Sequence, residues 1–342
     1  MVFIPTMCNR FLLSTSIFRR SKKLRGPIRF FALKKDLSLW MKKQERPVDK
    51  GRRGGLWIQA MPQRANYHTH SRFCDGKGEP EEYVLYALAK GFTHLGFSGH
   101  APLPFTTDWT MKEEDFPAYK AAVVELKERY RDRIEILLGL EVDYIPDLAL
   151  PESVSRRGDG LEYTLGSVHY LGRLKDGRRW TVDSPQAEFE KGLEETFAGD
   201  VRKAVERYYA IEEAMLVSVS PDIIAHFDLI KKNNRNGSFF CESEAWYREA
   251  VSRCLEAVRS SGAILEVNTG GIARDTSGAL YPSAWILREC LEKDIPILIS
   301  SDAHRPQDVD SLFVETALLL SGIGFRKTTL LTLQGRRESN LL

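Results

Sequence analysis

Cysteine is scarce in this chain of 342 residues: there are five cysteines, and no two of them form a Cys-x-x-Cys pair. Their scatter excludes a zinc knuckle or a disulfide framework as the basis of the fold, and it is typical of the reducing cytoplasm. Runs of 18 or more apolar residues are also absent, which excludes a membrane-spanning helix on length. We therefore expect a cytoplasmic protein with no membrane partner.

Positive charge is in deficit over most of the chain. Residues 1–60 hold 15 Lys/Arg and 3 Asp/Glu, whereas residues 61–342 hold 34 and 44, so the net charge of +2 divides into +12 and −10. The acidic part argues against a nucleic-acid partner, because such binding depends mainly on a basic face that neutralises phosphates. A few arginines in a cleft are still enough to hold a small phosphorylated substrate.

Residues 1–60 form a basic head that we expect to lie outside the folded domain. Three interpretations remain open for it. It is translated upstream sequence if the natural start is Met61, it is an organelle-targeting segment if its Arg-rich, acid-poor composition is functional, or it is a basic arm. The first is favoured, because Met61 lies just ahead of the first predicted strand.

Residues 62–335 alternate short apolar runs with longer amphipathic segments, which is typical of βα units and a parallel sheet. The seven strand candidates are Asn66–His70, Leu95–Gly99, Ile134–Glu141, Tyr163–Tyr170, Ile223–Phe227, Ile264–Asn268 and Ile297–Ser301. The helix candidates are residues 80–90, 116–131, 201–218, 242–261, 283–293 and 307–320. Since no Gly-rich phosphate loop favours an open doubly wound sheet, we predict one α/β domain, a distorted (β/α)7 barrel related to the eight-fold barrel.

Six of the seven histidines fall at or just beyond the carboxyl end of a predicted strand, where parallel α/β folds place their active sites. With three carboxylates in the same positions they give nine candidate metal ligands: His68, His70, Asp75, His100, Glu141, His169, His226, Asp302 and His304. His94 lies at the start of its strand, on the opposite rim, and receives no role. A single strand-end histidine is more often structural, so it is the recurrence of histidines at several strand ends that indicates a metal site.

Nine ligands exceed one tetrahedral site and predict two or three divalent ions that share a bridging carboxylate. Such ions lower the pKa of water and neutralise charge on a phosphoryl group, so the pattern favours a metal-dependent phosphomonoesterase. Nitrogen and oxygen ligands without thiolates suit Zn, Mn or Fe and do not choose among them.

The motifs HTH with CDG, SGH, GLE, SVH, AHFD and SDAH, in this order, resemble the polymerase and histidinol phosphatase (PHP) superfamily over residues 62–335. Longer stretches such as GFSGHAPLPF, GLEVDYIP and LEVNTGGIAR are similar to its histidinol-phosphatase branch. The resemblance implies a distorted (β/α)7 barrel that hydrolyses L-histidinol phosphate to L-histidinol and phosphate in histidine biosynthesis.

The resemblance also implies three metal ions and assigns their ligands. The first ion takes His68, His70, Glu141 and Asp302, the second takes Glu141, His169 and His226, and the third takes Asp75, His100 and His304. Asp75 stands where some relatives use histidine, which favours harder ions such as Mn or Fe.

Substrate contacts and proton transfer are less determined by the sequence. Arg274 is the leading phosphate contact, since a guanidinium matches phosphate oxygens in pairs, and Lys231 and Arg173 are weaker candidates. The proton for the leaving group comes from Asp302 or from a water held by a metal. Glu141, Asp302 and Arg274 are thus the predicted catalytic residues.

Three other functions compete with histidinol-phosphatase. They are a phosphoesterase of the same superfamily that acts on nucleotides or other small phosphate monoesters, a non-catalytic metal-binding module, and an amidohydrolase. The lack of a carboxylated-lysine position disfavours the amidohydrolase. Neither a monomer nor a homodimer is indicated.

Overall fold

Seven parallel strands form the central sheet, in which the strands lie beside one another in the order of the chain. The computed structural model describes residues 64–149, 160–274 and 278–342. The seven strands are β1 (Ala65–Asn66), β2 (His94–Phe97), β3 (Glu135–Asp143), β4 (Tyr163–Ser167), β7 (Ile223–Ile224), β8 (Ile264–Asn268) and β9 (Ile297–Ser300). The interpretations of residues 1–60, and the predicted start of the domain at residue 62, lie outside the described residues.

The sheet closes on itself just beyond the ends of its first and last strands. Thr69 and Ala303 form a parallel bridge. His70 N donates to Ala303 O at 2.8 Å, and Ala303 N donates to His68 O at 3.0 Å. The predicted seven-stranded α/β barrel is therefore confirmed, and all seven predicted strands are present. The closing bridge also holds His68 and His70 in place, because both belong to the segment that makes it.

Helices cover the outside of the barrel. They are α1 (Pro80–Ala89), α2 (Phe116–Tyr130), α3 (Gln186–Phe197), α4 (Val201–Ser218), α5 (Ala245–Ser261), α6 (Gly270–Ala273), α7 (Ala284–Glu292) and α8 (Phe313–Ile323). In α1, Pro80 opens the helix, a capping box joins Glu79 and Glu82, and Gly91 follows the end at a φ of 76°. None of the described helices is long and apolar enough to cross a bilayer.

Alternation along the strands separates two apolar clusters. Leu137, Leu165, Ile264 and Leu298 belong to a small cluster inside the barrel, whereas the chain neighbours Ile136, Leu138, Leu265, Ile297 and Ile299 join the large core between strands and helices. Counting onward by twos from these interior residues leads to the polar side chains at the carboxyl rim. The same strand faces therefore build the apolar floor and the site above it.

Two antiparallel hairpins were not predicted. β5 (Tyr170–Arg173) pairs with β6 (Arg179–Thr181), so the predicted strand Tyr163–Tyr170 is in fact two strands. β10 (Lys327–Thr332) pairs with β11 (Gly335–Asn340) and extends past residue 335. The hydroxyl of Tyr67 donates to Leu331 O at 2.6 Å and accepts from Leu331 N at 3.0 Å, so this second hairpin closes the amino-terminal end of the barrel.

The predicted helix over residues 307–320 was wrong at its start. Pro306–Asp308 is a single 3-10 turn, and Leu312 adopts a φ of 58° immediately before α8 begins at Phe313. A residue in the left-handed conformation cannot continue an α-helix. The residues from Pro306 to Leu312 therefore form a connection that leads from the site to the start of the helix.

Tyr163 fills the barrel interior, and glycine makes room for it. A Cβ at Gly139 would lie 2.5 Å from the Tyr163 ring, and one at Gly96 would overlap the hydroxyl. That hydroxyl donates to Tyr67 O at 2.8 Å. We expect Gly139→Ala to lower the free energy of unfolding by about 1–3 kcal/mol, because a close-packed core has no space for the methyl group.

Urea unfolding measures this loss. Tyr163→Leu shortens the side chain that causes the overlap, so in the double variant the two changes should cost less than the sum of their separate effects. Strict additivity would contradict the proposed overlap.

Glu212 on α4 is buried beneath the barrel wall, 1 % exposed. Burial raises its pKa from 4.5 to about 8, despite the nearby hydroxyl of Tyr208. Between these two values the folded chain keeps a proton that the unfolded chain has lost, so stability falls as the pH rises through this window. We expect Glu212→Gln, which cannot ionise, to show a flatter profile and to gain on the parent protein as the pH approaches 8.

Denaturant unfolding at several pH values between 5 and 8 measures the two slopes. Glu213→Gln is the matched control, because Glu213 is on the same helix, is partly exposed and pairs with Arg253 at 2.9 Å. Parallel profiles for Glu212→Gln and the parent protein would refute the assignment.

Candidate metal centre

The carboxylate of Glu141 is the centre of the site. Glu141 lies on β3 and is 1 % exposed, and five imidazole nitrogens lie no more than 3.9 Å from its two oxygens. The distances are 3.1 Å for His68, 3.4 Å for His70, 3.0 Å for His100, 2.9 Å for His226 and 3.9 Å for His169. Ser167 on β4 donates to Oε1 at 2.5 Å. One carboxylate thus joins the rings that four strand ends deliver.

Asp302 and Asp75 bring in the remaining side chains. Asp302 Oδ1 lies 3.2 Å from His70 and 3.4 Å from His304, and Asp302 Oδ2 accepts from Arg274 at 2.7 Å. Asp75 lies 3.1 Å from His304 and 3.5 Å from His70. All nine predicted ligands therefore lie together on the carboxyl rim of the barrel.

Two carboxylates that the sequence analysis did not single out orient the histidines. Glu266 on β8 lies 2.7 Å from His68 Nδ1 and accepts from His226 N at 2.8 Å. Asp143 lies 2.5 Å from His169 Nδ1. Each contact occupies one ring nitrogen and leaves the other for the cluster, as carboxylates beside metal-binding histidines do. The sequence carried a signal for both carboxylates, because each lies an even number of positions after an interior residue of its strand and therefore on the same face of that strand.

The charges of the site are set by burial and by mutual contacts. Burial favours a neutral Glu141, but the imidazoles of His100 and His68 outweigh it and hold the pKa of this carboxyl well below its usual range. Burial lowers the pKa of His100 to about 3. For His169 burial acts the same way, but the Asp143 carboxylate overrides it and raises the pKa to about 10. The central carboxylate is therefore anionic at neutral pH, the state that a cation requires.

The donor set fits divalent metal ions. Three groups of side chains bring one donor atom each to within 4.8 Å of one another: His70, Asp75, His100 and His304; His68, Glu141 and His226; His68, His70 and Asp302. Among the described residues, the buried atoms His70 Nε2, Asp75 Oδ1 and His100 Nδ1 have no hydrogen-bond partner. Buried polar atoms of this kind are favourable only when something binds them, and imidazole with carboxylate suits a divalent cation.

The three groups differ in part from the ligand sets implied by the resemblance. His70 joins the Asp75, His100 and His304 group, and His68 accompanies Glu141 and His226. His169 belongs to none of the three groups, and its nearest contact is Asp143. The assignment of ligands to individual ions stays a prediction.

Two of the predicted ligand residues hold unusual backbone conformations. His226 has a φ of 25° and Asp302 a φ of 52°. Residues other than glycine occupy this region at a cost of about 1–3 kcal/mol, and such strain is concentrated at functional sites. The turn at His226 ends β7 after two residues, which brings the ring into the cluster earlier than the predicted strand Ile223–Phe227 would.

A cavity of about 290 Å³ opens above the cluster. Its lining includes the cluster residues Asp75, His100, Glu141, His169, His226, Asp302 and His304, together with Trp109, Thr181, Asp183, Ser184, Leu229, Lys232, Arg274 and Tyr281. The volume suits a small molecule, and seven of the nine predicted metal ligands line the cavity.

Of the three predicted substrate contacts, only Arg274 lines the cavity. Its guanidinium contacts Asp302 and His304 and is 33 % exposed. The prediction that Lys231 contacts the substrate was wrong. Its ammonium is buried against Asp228 at 2.6 Å and donates to Leu280 O at 2.9 Å. The next residue, Lys232, lines the cavity instead.

The prediction that Arg173 contacts the substrate was also wrong. It lies on β5, 52 % exposed, and pairs with Asp147 at 3.2 Å. It lines a separate outer hollow and does not reach the metal cluster. The sequence did not predict the hairpin that carries Arg173, so the distance of this residue from the site could not be predicted either.

The chain matches the family profile described as PHP domain over residues 66–270. A probable histidinol-phosphatase of Deinococcus radiodurans is 32% identical, with 77% of this chain and 94% of the relative covered. The histidinol-phosphatase of Bacillus subtilis is 30% identical, with 72% of this chain and 96% of the relative covered.

Two solved structures share the barrel. A putative histidinol phosphatase of Listeria monocytogenes has a TM-score of 0.66 at 23% identity, covering 73% of this chain and 99% of its own. A histidinol phosphate phosphatase of Lactococcus lactis, complexed with zinc, L-histidinol and phosphate, has a TM-score of 0.59 at 18% identity, covering 80% and 99%. At these identities the likeness supports the fold.

We expect Glu266→Gln to weaken metal binding by about 10- to 100-fold, because it removes the charge that fixes the His68 ring while keeping the side chain's size. Competition with a chromophoric chelator measures the affinity. Glu128→Gln, at a surface glutamate that is 73 % exposed, is the control. Unchanged affinity in Glu266→Gln would show that this carboxylate does not act on the metal site.

Proposed function

The chain belongs to the PHP domain family, with histidinol-phosphatases among its relatives, and we propose that it is a histidinol-phosphatase that uses divalent metals to hydrolyse L-histidinol phosphate. The observation that carries this proposal is the cluster of nine predicted ligand side chains, seven of which line a small-molecule cavity. The products are L-histidinol and phosphate. A cytoplasmic location is part of the same proposal.

Three groups of residues would hold the ions. His70, Asp75, His100 and His304 form the most exposed group, and Glu141 with His68 and His226 forms the deepest. Zn, Mn and Fe all suit these donors, and three ions is the number proposed. When bound, such ions lower the pKa of water and neutralise charge on a phosphoryl group.

Arg274 supplies the protein's own contact to the phosphoryl group. Asp302 accepts from one terminal nitrogen of the guanidinium, and His304 lies 3.2 Å from the other. These contacts fix the guanidinium plane at the edge of the cluster. Arg274 lines the cavity. Planar guanidinium N–H groups bind phosphoryl oxygens in pairs and stabilise the charge that builds up during transfer.

Asp302 is the weaker of the two predicted proton donors. Burial favours its protonated form, but Arg274 and His68 outweigh burial and hold its pKa well below the usual range. A carboxylic acid that is ionised at neutral pH has no proton to give to a leaving oxygen. We infer that Asp302 orients His70 and Arg274, and that the leaving oxygen takes its proton from water in the cavity.

A non-catalytic metal-binding module is the rival from another class. Such a module has no need for a cavity above its ions, nor for a guanidinium fixed at the edge of that cavity. The chain has both features. A phosphoesterase that acts on nucleotides would have both features as well. A comparison of substrates is therefore needed to distinguish it from a histidinol-phosphatase.

We expect the metal-loaded chain to release phosphate from L-histidinol phosphate at a kcat/KM at least about 100-fold above that for nucleoside monophosphates, with His68→Asn reducing it by more than about 100-fold. His94→Asn is the matched control, because His94 begins β2 on the opposite rim and is not part of the cluster. A phosphate-release assay over a panel of monoesters measures these ratios. Preference for a nucleotide, or full activity in His68→Asn, would overturn the proposal.

A further inference from the structure

Asp183 is a carboxylate in the cavity that the metal cluster does not use. It follows β6 by two residues, and the preceding Val182 N donates to His169 O at 2.8 Å, which ties this segment to the rim. The Asp183 side chain is 32 % exposed and lines the cavity. Lys232, which lines the same cavity, lies 3.4 Å from it.

A negative charge at this position opposes phosphate binding. The side chain is a carboxylate at neutral pH, because an aspartate ordinarily has a pKa of about 4 and the Lys232 ammonium at 3.4 Å favours the charged form. A phosphate monoester is itself doubly charged, and a like charge across a small cavity disfavours it. A substrate that also carries a positive charge at a matching distance from its phosphate would offset this repulsion and gain an attraction to the carboxylate.

The two ends of the cavity differ in charge and in shape. Arg274 lies at the edge of the cluster formed by Asp302 and His304, and Asp183 lies on the side of His169. On this second side an outer hollow of about 710 Å³ adjoins the cavity, and Trp109, Thr181 and Ser184 line both spaces. A substrate with its phosphate on the cluster would place its alcohol portion on this side, beside Asp183.

Trp109 forms an aromatic wall between the two spaces. Its ring lies 4.6 Å from that of His100 and 5.5 Å from that of His169, and it stacks on Tyr170 at 6.0 Å and 24°. Phe105 lies 5.7 Å from Tyr170 in the outer hollow. An aromatic ring carried by the leaving alcohol finds a flat, partly apolar surface here.

We propose that Asp183 binds the ammonium group of the leaving alcohol, with the alcohol's ring against Trp109, and so selects phosphate monoesters of amino alcohols over those whose leaving group is neutral or anionic. This inference rests on the proposed function and names the residue that determines its substrate class. An ammonium placed between the phosphate and the aromatic ring, as in L-histidinol phosphate, meets the carboxylate, while a nucleoside or sugar phosphate brings no positive charge to it.

A two-by-two comparison tests the proposal. L-histidinol phosphate and the analogue in which hydrogen replaces the amino group are each assayed with the parent holoenzyme and with Asp183→Asn. The parent should prefer the amine by roughly 10- to 100-fold in kcat/KM, the worth of a charge-assisted hydrogen bond, and Asp183→Asn should lose most of this preference. The loss should fall on L-histidinol phosphate, while turnover of the analogue stays the same or rises.

The controls separate the alternatives. Asp132→Asn changes a carboxylate that is 92 % exposed and outside the cavity, and it should keep the full preference. An equal loss on both substrates in Asp183→Asn would mean that Asp183 acts through the metal-binding His169, and it would overturn the inference, as would an unchanged preference. Metal content is measured for each variant.

The parent enzyme alone also decides the matter if Asp183→Asn does not fold. Equal turnover of the two substrates by the parent would refute the role of Asp183 while leaving the histidinol-phosphatase proposal intact. No turnover of either substrate would instead refute the proposed function.

Discussion

A single buried carboxylate, that of Glu141, is the constraint on which the site depends. A carboxylate taken out of water at 1 % exposure is unfavourable by several kcal/mol unless charges and hydrogen bonds replace the water. Here Ser167 and five imidazole rings replace it. Since these rings come from strand ends and loops around most of the barrel, the position of each one depends on the closure of the sheet. The geometry of the site therefore depends on the closed barrel.

The two-residue period of the strands explains how much of this could be predicted. On β3, Leu137 and Gly139 face the barrel interior, and Glu141 and Asp143 continue the same face at the rim. Position at strand ends was enough to predict nine candidate ligands, and the barrel brings all nine together. Asp143 and Glu266 were missed, although the same alternation places them inside, because an acidic residue within a strand does not by itself indicate a partner for histidine.

The substrate contacts were less predictable because they depend on turns. Lys231 and Lys232 are neighbours, yet the 3-10 turn Leu229–Lys231 directs the first into an ion pair with Asp228 and the second into the cavity. No periodicity in the sequence distinguishes them. Arg173 lies on a hairpin whose existence was not predicted, and Asp183 follows it, so their separation into an outer and an inner position followed only from the structure. Regular strands carry a readable pattern, whereas loops between them do not.

The most direct test of this account is the metal content of Glu141→Gln, which keeps the size of the side chain and removes its charge. Inductively coupled plasma mass spectrometry of the purified protein, after dialysis against metal-free buffer, gives the number of ions per chain. If Glu141 is the shared ligand, the parent protein should hold roughly two to three ions and Glu141→Gln no more than about one. Equal metal content in the two proteins would contradict the central role of this carboxylate.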